Sequence, residues 1–97
     1  MTNIPKSYIG VDISKNYLDV CILPNQNEFR IKNNADGFKQ LFIQLSSHDV
    51  EQVVCEATGG YENAMIKALK SANYSRIRKL VNTLFYRIQL IKVQVFF

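Results

Sequence analysis

Apolar positions along this chain fall in short runs separated by clusters of turn-forming residues, the signature of strands more than of long helices. Ser7–Asp12 is a nearly continuous apolar run that predicts a buried strand, and Ile13-Ser14-Lys15-Asn16 predicts the turn after it. Tyr17–Leu23 is apolar except for Asp19 and predicts a second strand, closed by Pro24-Asn25-Gln26-Asn27. Glu28–Lys32 alternates, with Phe29 and Ile31 on one side and Arg30 and Lys32 on the other, the period of a half-exposed strand. Three strands joined by short turns predict an antiparallel meander.

The period then changes. Asn33-Asn34-Ala35-Asp36 carries helix-start chemistry, and Phe38, Leu41, Phe42 and Leu45 follow at helical spacing. A helix near residues 36–47 is therefore expected to lay one face on the sheet. Ser46-Ser47-His48-Asp49 ends it, and Val50–Glu56 predicts a fourth, buried strand suited to parallel pairing. A second helix near residues 61–72 is expected after Thr58-Gly59-Gly60, with Tyr61, Ala64, Met65, Ala68, Leu69 and Ala72 as its apolar face. Arg76–Val81 is a candidate fifth strand. This order brings the fourth strand back parallel to the first, leaving the first strand central between the second and fourth. Leu84–Phe97 is β-prone, without Gly or Pro, and ends on Val95-Phe96-Phe97.

At 97 residues, 47% hydrophobic and 21% charged, the chain fits one small domain with a single modest core. No apolar run approaches the ~18 residues of a membrane span, and Pro5, Lys6 and Asp12 argue against a secretory signal, so a cytoplasmic address without membrane contact is expected. Cys21 and Cys55 sit in strand-like runs and are expected in the core. The net charge of +4 is unevenly distributed, because all eight Asp and Glu lie at or before Glu62 while seven of the twelve basic residues follow it. Such a basic block is a nucleic-acid signal, or equally a stretch shaped by no function.

Two carboxylates carry the chemistry. Asp12 closes the first buried strand and Glu56 the fourth, where an unpaired charge is costly. Neighbouring parallel strands would bring them to one sheet edge, where two carboxylates repel unless a cation neutralises them. Mg²⁺ suits such a site, since it takes few carboxylates and completes its shell with water and phosphate oxygens. The plainer reading has Asp12 capping a turn and Glu56 meeting solvent. Thr58-Gly59-Gly60 is a helix-start phosphate cradle or simply a turn. Lys15, Arg76, Arg78, Lys79, Arg87 and Lys92 are phosphate-binding candidates or solvated cations. Asp19 is assigned to the periodicity opposite the site and left out, and the lone His48 is expected to be solvated.

Ile9-Gly10-Val11-Asp12-Ile13-Ser14-Lys15 with Leu18-Asp19-Val20 resembles the N-terminus of the DEDD-type insertion-sequence transposases, the insertion-sequence-110 or Piv DNA invertase family. The likeness continues through Asn33-Asn34, Gly37-Phe38 and Leu41 to Val54-Cys55-Glu56-Ala57-Thr58-Gly59-Gly60-Tyr61-Glu62. It implies an α/β, ribonuclease-H-like (RuvC-like) mixed sheet and a four-carboxylate Mg²⁺ site acting on DNA. Asp12 and Glu56 would be the first two of its catalytic, metal-binding residues. It further implies, for full-length members, a second domain with a nucleophilic serine, self-association, and in some cases a structured guide RNA.

The resemblance fades after about Ser75. Val81-Asn82 is followed by Thr83 where the family continues Val-Asn-Pro, and the Lys-Thr-Asp motif bearing the last two aspartates has no counterpart. The expectation is a partial RuvC-like domain over residues 1–75, incomplete at its C-terminus, with a divergent, frameshifted tail over 76–97 and no activity by itself. Two alternatives compete. An actin-like ATPase or sugar-kinase lobe also begins with a strand, Gly and Asp, and a small non-enzymatic nucleic-acid-binding module would rely on the basic half.

Overall fold

The computed structural model describes residues 5–56 and 59–80. In chain order the elements are β1 (Lys6–Ile13), β2 (Tyr17–Leu23), β3 (Asn27–Lys32), α1 (Ala35–Leu45), β4 (Asp49–Glu56), α2 (Asn63–Ser71) and β5 (Ile77–Leu80). The strands form one sheet in the order β3-β2-β1-β4-β5. β1, β2 and β3 are the expected antiparallel meander, and β4 lies parallel to β1, with β5 parallel to β4. The expected central position of the first strand, the parallel return of the fourth and the candidate fifth strand are all observed. The tail beyond Leu80, including Arg87, Lys92 and the terminal hydrophobes, lies outside the described residues.

Both helices cover the same face of the sheet, and topology explains why. The two parallel crossovers, β3-α1-β4 and β4-α2-β5, step in the same direction along the sheet, so one handedness puts both helices on one side. Ile9, Val11, Ile13, Leu18, Val20, Ile22, Ile31, Val53 and Cys55 pack there against Phe38, Leu41 and Leu45 of α1 and Met65 and Leu69 of α2. The alternate strand positions belong to the opposite face, where Cys21, Leu23 and Val54 form a second buried cluster with Tyr8 and Leu80. Both cysteines are buried in the core, as expected.

Helix ends follow the local sequence. Asn34 caps α1, its side chain accepting a 2.9 Å bond from the Gly37 amide. Gly37 is required for a second reason, because a Cβ there would sit 1.7 Å from the Lys32 carbonyl oxygen. α2 starts at Asn63, two residues later than the apolar pattern implied, so Tyr61 and Ala64 are exposed instead of joining the buried face. The cause is the turn before it, in which Gly59 and Gly60 take φ of 65° and 99°. At its other end Asn73 adopts φ 70°, and the Tyr74 amide reaches the Leu69 carbonyl at 2.9 Å, a left-handed cap that stops the helix. His48 is not simply solvated, since its Nδ1 lies 3.1 Å from Ser7 Oγ and ties the α1–β4 loop to β1.

Candidate metal centre at the ends of β1 and β4

Asp12 and Glu56 come together as the strand order requires. The last register pair between β1 and β4 is Val11 with Cys55, so Asp12 and Glu56 occupy the next step on two adjacent parallel strands. Val11 and Cys55 belong to the helix-covered core, so alternation turns both carboxylates to the opposite face. Asp12 is half-buried, whereas Glu56 is only 8% exposed. Glu56 Oε2 is buried without a hydrogen-bond partner among the described residues, and the cross-strand neighbour on its other side is Leu80.

Asp19, assigned to the opposite periodicity from sequence, belongs to this face as well. It is the direct register partner of Asp12 across β1 and β2. Its carboxylate is engaged by Arg30 from β3, with Nε–Oδ1 at 2.8 Å and Nη2–Oδ2 at 3.1 Å. Arg30 also lies 4.9 Å from the centre of the Tyr17 ring. Asp12, Asp19 and Glu28 border a shallow concavity of about 380 Å³ on this side of the hairpin. The signal that would have placed Asp19 was the hairpin itself, because equal spacing from the turn makes it face Asp12.

The other candidates are accounted for individually. The Gly60 amide, a possible phosphate donor, is bonded to Glu62 Oε1 at 3.2 Å. Glu62 is itself buried, 3.3 Å from Lys79, which makes it a latch on the β4–α2 turn and not a site residue. Arg76 pairs with Glu51, so two of the described basic residues of the C-terminal block are already matched. In the β1–β2 turn, Ser14 Oγ and the Ser14 amide both bond the Tyr17 carbonyl, at 3.1 and 2.9 Å. Those groups close the hairpin and do not form a nucleotide-phosphate cradle.

A centrally placed β1 with an aspartate one residue from its end, joined by the end of a parallel β4 on a 3-2-1-4-5 sheet, defines a ribonuclease-H-like (RuvC-like) domain. The model of the DEDD transposases of the IS110 type matches residues 9–83, and the chain belongs to this transposase family. The pilin gene-inverting proteins of Moraxella lacunata and Moraxella bovis are each 34% identical over 62 residues, covering 58% of this chain and 19% of theirs. The chain therefore spans about a fifth of the length of these relatives. Archaeoglobus fulgidus Pelota shares the fold, with a TM-score of 0.63 at 15% identity over 96% of this chain and 31% of that one.

The donor set fits a small hard cation. Two carboxylates on adjacent strand ends, one with a buried oxygen that no described residue satisfies, leave negative charge that a divalent ion would satisfy. Among the described residues no third acidic, His or Cys ligand joins them, and Asp19 is held by Arg30.

Proposed function

We propose that this chain carries the Asp12–Glu56 half of a Mg²⁺ site in a transposase or site-specific recombinase acting on DNA. The observation that supports it most is the buried Glu56 Oε2, unpartnered among the described residues, with Glu56 and Asp12 each one step beyond the Val11–Cys55 register pair. When bound, Mg²⁺ supplies charge stabilisation and nucleophile activation for phosphodiester chemistry. The chain's own contribution is to fix two carboxylates on a rigid sheet edge, with Glu56 shielded from water and Asp12 facing the concavity. Asp19 and Arg30 set the charge beside them.

DNA is the proposed partner, and the resemblance to the invertase family extends the proposal to a guide RNA, self-association and a cytoplasmic site of action for the full-length protein. Among the described residues no third acidic, His or Cys side chain joins Asp12 and Glu56, short of a four-carboxylate site. The chain by itself is therefore proposed to cleave no DNA. Titration with Mn²⁺ followed by electron paramagnetic resonance tests the site. Weak binding is expected for the wild type and none for Asp12→Asn or Glu56→Gln. Equal Mn²⁺ binding by all three chains would remove the assignment, as would Mg²⁺-dependent DNA cleavage by the purified chain that Asp12→Ala leaves intact.

A further inference from the structure

We propose that the β3 side of the sheet, centred on Tyr17, is a docking groove for an unpaired DNA strand, an inference that rests on the reading of the chain as part of a DNA-acting recombinase. Among the described residues Tyr17 is one of three large hydrophobic side chains left exposed, at 40%. Its ring borders two hollows, one of about 490 Å³ shared with Arg30, Lys32 and Asn34, the other of about 390 Å³ shared with Lys15, Lys32 and Asn34. Both volumes fall in the range of small-ligand sites, roughly 300–1,000 Å³. An aromatic wall between two hollows offers a stacking surface to a base, made of the Tyr17 ring and the Arg30 guanidinium laid over it.

The platform is assembled from contacts within the chain. Asp19 holds the Arg30 guanidinium with two hydrogen bonds, and that guanidinium lies against the Tyr17 ring at 4.9 Å. Tyrosine and a planar guanidinium both stack on bases, and neither reads sequence. Lys15, from the β1–β2 turn, and Lys32, from the end of β3, converge on the second hollow. Neither is ion-paired among the described residues. Asp36 borders only the first hollow, so phosphates are drawn to the lysine side and bases to the Tyr17–Arg30 side.

The groove lies at the sheet end where β1 and β4 also stop, with Asp12 one strand from β2 and Glu56 two. A strand lying in it would be led toward the carboxylates. A duplex keeps its base faces buried in its own stack and gains nothing from Tyr17, so the groove selects unpaired DNA.

Fluorescence anisotropy with a labelled 20-nucleotide thymidine strand, and with its duplex, tests this. EDTA is present throughout, so that a failed cation site and a failed groove remain separate results. The expected outcome is tighter binding of the single strand than of the duplex, with Tyr17→Ala weakening it about tenfold and Tyr17→Phe retaining it. Lys15→Ala with Lys32→Ala should flatten the slope of log affinity against log salt by about 1.4, the loss of two single-strand phosphate contacts. Thermal melts of the same samples confirm folding, which the exposure of all three positions favours. Equal affinity for duplex, wild-type binding by folded Tyr17→Ala, or tighter binding of the corresponding RNA would overturn the proposal.

Discussion

Asp12 on β1 and Asp19 on β2 are direct register partners, two carboxylates opposed on one face of an antiparallel pair. Like charges so placed are destabilising, and Arg30 on the neighbouring strand offsets them. Its guanidinium is held above its ordinary pKa first by the hydrogen bonds to Asp19, then by the charge of Asp19, with Asp12 adding to it. Arg30→Gln should therefore lower the thermal midpoint, more at low ionic strength than in 0.5 M salt, where exposed charges are screened. Asp19→Asn in the same background should restore it. A midpoint unchanged by Arg30→Gln at low salt would mean that the two aspartates do not repel.

Glu56 presents the reverse situation, a carboxylate with a buried oxygen that no described residue satisfies. Glu56→Gln removes the charge at constant shape. The amide stays polar, so the gain comes only from relieving the like charge beside Asp12, and in EDTA it is expected to stabilise the fold by up to about 1 kcal/mol, measured by urea denaturation. Millimolar Mn²⁺ should narrow the gap by stabilising only the wild type. A variant less stable than wild type in EDTA would show that Glu56 is satisfied in solution.

Most of the scaffold could be read from sequence because turn residues separate the apolar runs. Pro24-Asn25-Gln26 marks the end of β2, and Asn34 marks the start of α1. The placement of Asp12 and Glu56 at the ends of neighbouring strands was legible for the same reason, each closing an apolar run. Asp19 was misplaced because periodicity within one strand does not say which face it shares with another. That is decided by hairpin register, here Ile13 opposite Leu18 and Asp12 opposite Asp19. The late start of α2 was hidden for a related reason, since Tyr61 and Ala64 keep helical spacing while Gly59 and Gly60 hold the chain in a turn. The Ser7–His48 contact joins residues 41 positions apart, beyond any local pattern.

Gly37 tests the close approach of α1 to the end of β3. In an ordinary helix Gly→Ala gains up to about 1 kcal/mol. Here the new Cβ would meet the Lys32 carbonyl oxygen at 1.7 Å, so the helix or the strand must move. Gly37→Ala is expected to destabilise by about 1–3 kcal/mol, the usual cost of overpacking, in urea melts. Asn34 would lose its cap bond to the Gly37 amide in the same shift, so Asn34→Ala should cost less in the Gly37→Ala background than alone. Additive effects would place the strain elsewhere.

Cys55 gives a pH dependence whose sign can be worked out. It is fully buried in the helix-side core. Burial first, and the negative charge of Glu62 second, push its thiol from 9.0 up to about 11, while Lys79 opposes them. The folded chain therefore keeps this proton at pH values where the unfolded chain has lost it. The resulting contribution to stability is fully present below about pH 9, falls as pH rises toward 11, and then levels off. The size of the shift corresponds to about 2–3 kcal/mol across that window. Other lysines and tyrosines titrate there too, so the measurement is the difference in unfolding free energy between wild type and Cys55→Ala at each pH. Cavity formation in the variant adds a constant offset, and only the ionising thiol adds a slope. Thiol labelling provides a second reading, since at pH 8 Cys55 should react only when the chain unfolds. A flat difference curve between pH 9 and 11, or fast labelling of the native chain, would mean that Cys55 is not shielded by the packing of β4 against α2.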